Sequence, residues 1–116
     1  MPEAVIVEAV RTPIARGKQI IGELSGVHAA QLLAMSYTGL IEKAGLEYTD
    51  IEQIVSGCVT QAGEQSNNIA RNAWLSLGKN YSTGASSLDT QCGSAQAANH
   101  IVSALVAAGQ INIGIA

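Results

Sequence analysis

The apolar and polar positions change period several times along the 116 residues. Residues 4–10, AVIVEAV, form a short β-prone run closed by Thr12-Pro13 and predict a strand. Residues 14–27 hold Gly17, Gly22 and Gly26 without a clear period and read as a loop. From His28 to Ala44 the apolar positions Ala29, Leu32, Leu33, Leu40, Ile41 and Ala44 recur at helical spacing, and Gly45 follows as a C-cap. Asp50 caps a short turn into a second strand, 53–59 (QIVSGCV). A loop at 61–66 leads to a helix at 67–77, with asparagine at its start and Gly78 at its end. Residues 86–91 (SSLDTQ) predict a third strand, 93–108 a third helix stopped by Gly109, and 111–116 (INIGIA) a fourth strand.

The resulting order is β-α-β-α-β-α-β. Each strand-helix-strand unit calls for a right-handed crossover, so the expected class is α/β, with a mostly parallel sheet and helices on its faces. No internal repeat or low-complexity tract interrupts it. Ala116 falls inside an apolar run with no cap or polar tail, whereas domain ends normally lie in exposed polar segments. The expectation is a truncated chain.

Composition narrows the core. The apolar fraction is 47%, but Phe is absent and the aromatic residues are three Tyr and one Trp. Packing must therefore rest on Ala, Val, Ile and Leu, and the 12 glycines suit sharp turns between closely packed elements. A net charge of −3 with six basic residues leaves no electrostatic footprint for nucleic acid. No secretory signal opens the chain and no apolar run reaches membrane-spanning length, so a membrane partner is not expected. Two cysteines, Cys58 and Cys92, form neither a disulfide framework nor a C-x-x-C pair, which points to a reducing, cytoplasmic setting. Asn80-Tyr81-Ser82 matches a glycosylation acceptor by chance in such a setting.

Cys92 stands where a strand meets a helix, in SSLDTQCGSAQAANH (86–100). Parallel α/β proteins put reactive groups at the carboxyl ends of strands, beside helix N-termini. There, unpaired N–H groups and the helix dipole favour thiolate over thiol and aim donors at a forming oxyanion. Gly93 offers no Cβ to an approaching substrate, and alternation along the strand turns Asp89 and Cys92 to opposite faces. On position alone, a nucleophile and a buried packing cysteine both remain open. A proton acceptor is not evident: His100 lies eight residues on, about 12 Å along a helix, and His28 opens the first helix. Cys58, among Val55, Gly57 and Val59, reads as a small core residue. No metal site emerges, and no G-x-G-x-x-G follows a strand.

LDTQCGSAQAA resembles the nucleophile motif of the thiolases, Asn-x-x-Cys-Gly-Ser-Gly. VIVEAVRTPIARGKQIIGEL resembles their N-terminal strand and loop, and VSGCVTQAGEQSNNIARNAWLSLG their second strand, loop and helix. The resemblance runs through all 116 residues with family spacing. It implies a thiolase-like half-domain, residues 1–116 being the N-terminal part of an N-terminal domain, with the loop domain and C-terminal half absent.

The resemblance also implies a chemistry: cleavage of 3-ketoacyl-CoA with coenzyme A, or condensation of two acyl-CoA units. The catalytic cysteine matches Cys92, which would carry the acyl group as a thioester. Coenzyme A is then a substrate and no separate cofactor is implied. The family's histidine and second cysteine belong to the absent half and are not carried to His28, His100 or Cys58. Asp89 replaces the usual asparagine and Ala95 the usual glycine; a similar Asp-x-Gln-Cys-Gly-Ser pattern in some bacterial lipid- and steroid-degrading thiolases favours a degradative enzyme with a longer acyl substrate. A homodimer or homotetramer is implied, with QAGEQSNNIAR near the subunit interface. The rival readings are a condensing enzyme of the β-ketoacyl synthase type, which would prefer an acyl-carrier protein, and a fragment that is inactive on its own.

Overall fold

A computed structural model describes residues 2–116. Its sheet has three strands, β1 (Gln53–Gly57), β2 (Gly84–Leu88) and β3 (Gly114–Ile115), all parallel in the order β2-β1-β3. The three helices are α1 (Ala29–Ala44), α2 (Ile69–Ser76) and α3 (Ser94–Ala107). Register runs from Gln53 opposite Gly84 to Gly57 opposite Leu88, and Gln53 and Ile54 face Gly114 and Ile115 on the other side.

β1 is the central strand, and its alternation divides the core. Ile54, fully buried, joins Tyr37 and Ile41 of α1 and Ala73 and Trp74 of α2 on one face. Its neighbour Val55 joins Ala98 and Val102 of α3 on the other. Strand period two thus produces three layers: α1 and α2, the sheet, and α3. Trp74 supplies the bulk that Phe would otherwise provide, with Tyr37 edge-on to it at a ring separation of 5.7 Å.

Local chemistry ends the helices where the pattern predicts. At the start of α1, the His28 Nδ1 accepts the Ala30 N–H, and the distant Glu64 carboxylate accepts that of Ala29. Gly45 closes α1 at φ 68°, a conformation that only glycine adopts without cost. Asn68 caps α2 by accepting the Arg71 N–H, while its amide donates to the Ala85 carbonyl of β2. Asn67 and Asn68 both have positive φ, so α2 begins two residues later than the periodicity predicts.

The strand boundaries differ more. The third predicted strand, 86–91, is observed as Gly84–Leu88, because Gly84 and Ala85 pair with β1 while Asp89 begins a turn. The fourth, 111–116, pairs only over Gly114–Ile115. Residues 4–10 lie outside any strand, with Val5, Ile6 and Val7 72–84% exposed. A groove of about 330 Å³ is lined by residues 3–8, by Asn112–Ala116 and by residues of α1 and α3. Lys43 of α1 meets the run at its end, paired with Glu8 at 3.0 Å and donating to the Ala9 carbonyl. The α/β class with a parallel sheet and flanking helices stands; the first predicted strand is a run that pairs with no strand among the described residues.

Candidate active site

The carboxyl ends of β1 and β2 lie side by side, and the chain carries the ladder one step beyond them: the Cys58 N–H donates to the Leu88 carbonyl at 2.9 Å. After Leu88, Asp89 and Thr90 lead into a single 3₁₀ turn, Gln91–Gly93, which runs directly into α3. Cys92 is the middle residue of that turn, one residue before Gly93 at the N-cap of α3, and it is exposed. Its thiol is therefore open to solvent at the positive end of a 14-residue helix. Gly57 brings that helix end onto the sheet, since its Cα side faces the backbone of Ser94 and Ala95 directly.

The turn is held by side chains on either side of the cysteine. The Asp89 carboxylate accepts the Gln91 N–H at 2.7 Å. Ser94, only 6% exposed, uses its hydroxyl twice, accepting the Thr90 N–H at 3.0 Å and donating to the Gln91 carbonyl at 2.7 Å. Between these supports Gln91 has φ 54°, a left-handed conformation that costs a side-chain-bearing residue about 1–2 kcal/mol. Such strain persists only where the surroundings over-determine it.

Strand alternation misplaced Asp89. Because β2 ends at Leu88, the carboxylate is not turned to the far face of a strand; it folds back onto the turn that carries Cys92. Cys58 is likewise not a core residue: it lies just past β1, half-exposed, with its thiol donating to the Thr60 carbonyl at 3.5 Å. His28 caps α1 in the opposite helix layer and His100 lies two turns along α3, exposed. Neither ring is hydrogen-bonded to Cys92 among the described residues.

The supporting residues were not singled out by motif. Asn68 and Ser87 link the start of α2 to β2: the Ser87 hydroxyl donates to Asn68 Oδ1 and accepts the Ala70 N–H. Arg71 donates to the carbonyls of Tyr81 and Thr83, fixing the loop that leads into β2. Polar residues at the start of a helix were the only signal for them, and it identified the cap without its cross-strand partners. Among the described residues, no three His, Cys, Asp or Glu side chains converge as a metal centre requires, and no helix is long and apolar enough to cross a membrane.

Residues 4–116 match the family model of the thiolase N-terminal domain. The chain belongs to the thiolase family. It is 33% identical over 116 residues to the steroid 3-ketoacyl-CoA thiolase FadA6 of Mycobacterium tuberculosis, covering all of this chain and 28% of that protein. It is 40% identical over 111 residues to a 3-ketoacyl-CoA thiolase of Colwellia psychrerythraea, covering 95% of this chain and 28% of that one. Among solved structures, the Bacillus anthracis acetyl-CoA acetyltransferase superposes with a TM-score of 0.83 at 24% identity, over 94% of this chain and 27% of that chain. This thiolase chain thus spans a little over a quarter of the length of the relatives it matches.

Proposed function

We propose that this chain supplies the acyl-carrying cysteine of a thiolase that cleaves 3-ketoacyl-CoA with coenzyme A, and that Cys92 is that cysteine. The observation that carries the reading is the exposed thiol in a braced turn at the N-terminus of α3. The Cys92 thiolate attacks the 3-keto carbon, forming a C–S bond. Negative charge collects on the former carbonyl oxygen, where main-chain N–H groups at the helix start stabilise it. The bond between carbons 2 and 3 then breaks, its electron pair leaving with the acetyl-CoA fragment, which takes up a proton. The thiol of a second coenzyme A attacks the resulting thioester, giving up its proton, and releases the shortened acyl-CoA and the Cys92 thiolate. Condensation runs the same steps backwards.

Relatives named as 3-ketoacyl-CoA and steroid 3-ketoacyl-CoA thiolases support the degradative direction and a long or bulky acyl chain. With His28 and His100 both removed from the cysteine, the proton transfers need groups outside these 116 residues. The chain by itself is therefore expected to acylate without sustained turnover.

Mass spectrometry of the chain after incubation with an acyl-CoA checks the assignment. One acyl group in thioester linkage is expected on Cys92, and none on Cys92→Ser. An adduct of unchanged yield on the serine variant would refute it.

A further inference from the structure

Asp89 is the residue at which this chain departs from the usual asparagine of the motif, and it is in contact with the turn that carries Cys92. It is exposed and makes no ion pair among the described residues. Its one hydrogen bond there is to the backbone N–H of Gln91, the residue before the cysteine and the one whose φ is positive. On the other side, Ser94 is buried and holds the Gln91 carbonyl. The two peptide groups flanking the Gln91 Cα are therefore each gripped by a side chain. With both fixed, the backbone at Gln91 is held in the left-handed region and Cys92 follows at the mouth of α3. With one released, Gln91 is free to relax to the right-handed conformation, which swings the cysteine away from the helix end. A carboxylate is well suited to grip this peptide group, because a charge-assisted hydrogen bond is stronger than a neutral one and an anion near the start of α3 is itself favoured.

We propose that Asp89 is a positioning residue for Cys92, acting with Ser94 to hold Gln91 left-handed so that the thiol is presented at the N-terminus of α3. The inference rests on Cys92 as the nucleophile for its functional meaning, but its physical content is tested without acyl transfer. In a Cys58→Ser background Cys92 is the only thiol. Iodoacetamide then reports its presentation: the sulfur bonds to the methylene carbon, the carbon–iodine bond breaks and iodide leaves.

At a fixed neutral pH, Asp89→Ala is expected to slow alkylation about tenfold, the size expected for losing the acceptor that holds the Gln91 N–H. The thermal midpoint should hardly move, because Asp89 is exposed. Asp89→Asn keeps an acceptor and should restore the rate to within about twofold of the parent. Gln91→Gly added to Asp89→Ala should recover most of the rate, because glycine enters positive φ without the penalty a side chain carries. Should Asp89→Ala alone fail to fold, the pair is compared with the parent instead, and a rate about tenfold below the parent's overturns the proposal. Alkylation of Asp89→Ala at the parent rate would overturn the proposal, as would a Gln91→Gly pair no faster than Asp89→Ala. A chain that alkylates under Asp89 control yet never takes an acyl group would refute the nucleophile and leave the support standing. Acylation at Cys92 with no effect of Asp89 would do the reverse.

Discussion

At Gly57 a Cβ would lie 2.5 Å from the Ser94 carbonyl carbon and 2.6 Å from the Ala95 nitrogen, and neither backbone atom can swing aside as a side-chain tip would. The first turn of α3, and with it Cys92, sits where it does because this one residue has no side chain. Gly57→Ala should therefore push the helix start off the sheet and destabilise the chain by about 1–3 kcal/mol, as over-packing generally does. Chemical denaturation measures this, and an unchanged midpoint would show that the contact yields freely. The candidate nucleophile was legible at this scale, because cysteine followed by Gly-Ser before an alanine-rich helix is a local pattern. The role of Gly57 was not, since its partners lie far along the chain and only folding brings them together.

Among the elements, the helices keep close to their predicted limits, whereas of the four predicted strands only β1 starts where its pattern does. α1 spans Ala29–Ala44, within one residue of its predicted limits, because its apolar stripe and its Gly45 cap are both written locally. A strand needs a neighbour as well as a pattern. Val5, Ile6 and Val7 are as β-prone as Ile54 and Val55, yet only the latter pair belong to a strand with neighbours on both sides. The backbone amides of residues 4–10 are thus expected to exchange with solvent almost as fast as in an unstructured peptide, and those of Ile54 and Val55 slowest of all. Hydrogen exchange read by NMR distinguishes the two runs. Equal protection would mean that residues 4–10 are hydrogen-bonded into the sheet after all.

For the molecule as a whole, Tyr37 ties the layers together. Its ring packs against Trp74, and its hydroxyl meets the Ser56 hydroxyl of β1 at 3.2 Å and donates to the Ala70 carbonyl of α2. Burial pushes its pKa from 10 up to about 12, against a smaller lowering by the Ser56 hydrogen bond. Below pH 10 both folded and unfolded chains keep this proton, and the stabilisation is complete. Between pH 10 and 12 the unfolded chain releases it while the folded one does not, so stability falls as pH rises, by on the order of 2 kcal/mol in all. Tyr37→Phe should flatten that part of the alkaline stability curve, seen as a smaller loss of denaturation midpoint from pH 10 to 12 than in the parent. An identical loss would assign the alkaline sensitivity elsewhere.

Taken alone, the order of residues determined the α/β class, the three helices with their caps, and Cys92 as the residue to watch. The helices, their caps and the setting of the cysteine depend on spacings within one or two turns of chain, and the class follows from the order of those local elements. Tertiary structure decided which β-prone runs became strands, that Asp89 turns back onto the turn carrying the cysteine, and that His28 sits in the opposite helix layer. Each of those outcomes depends on how separate segments meet, and hydrogen-bond partners and packing distances between such segments exist only once the layers have closed.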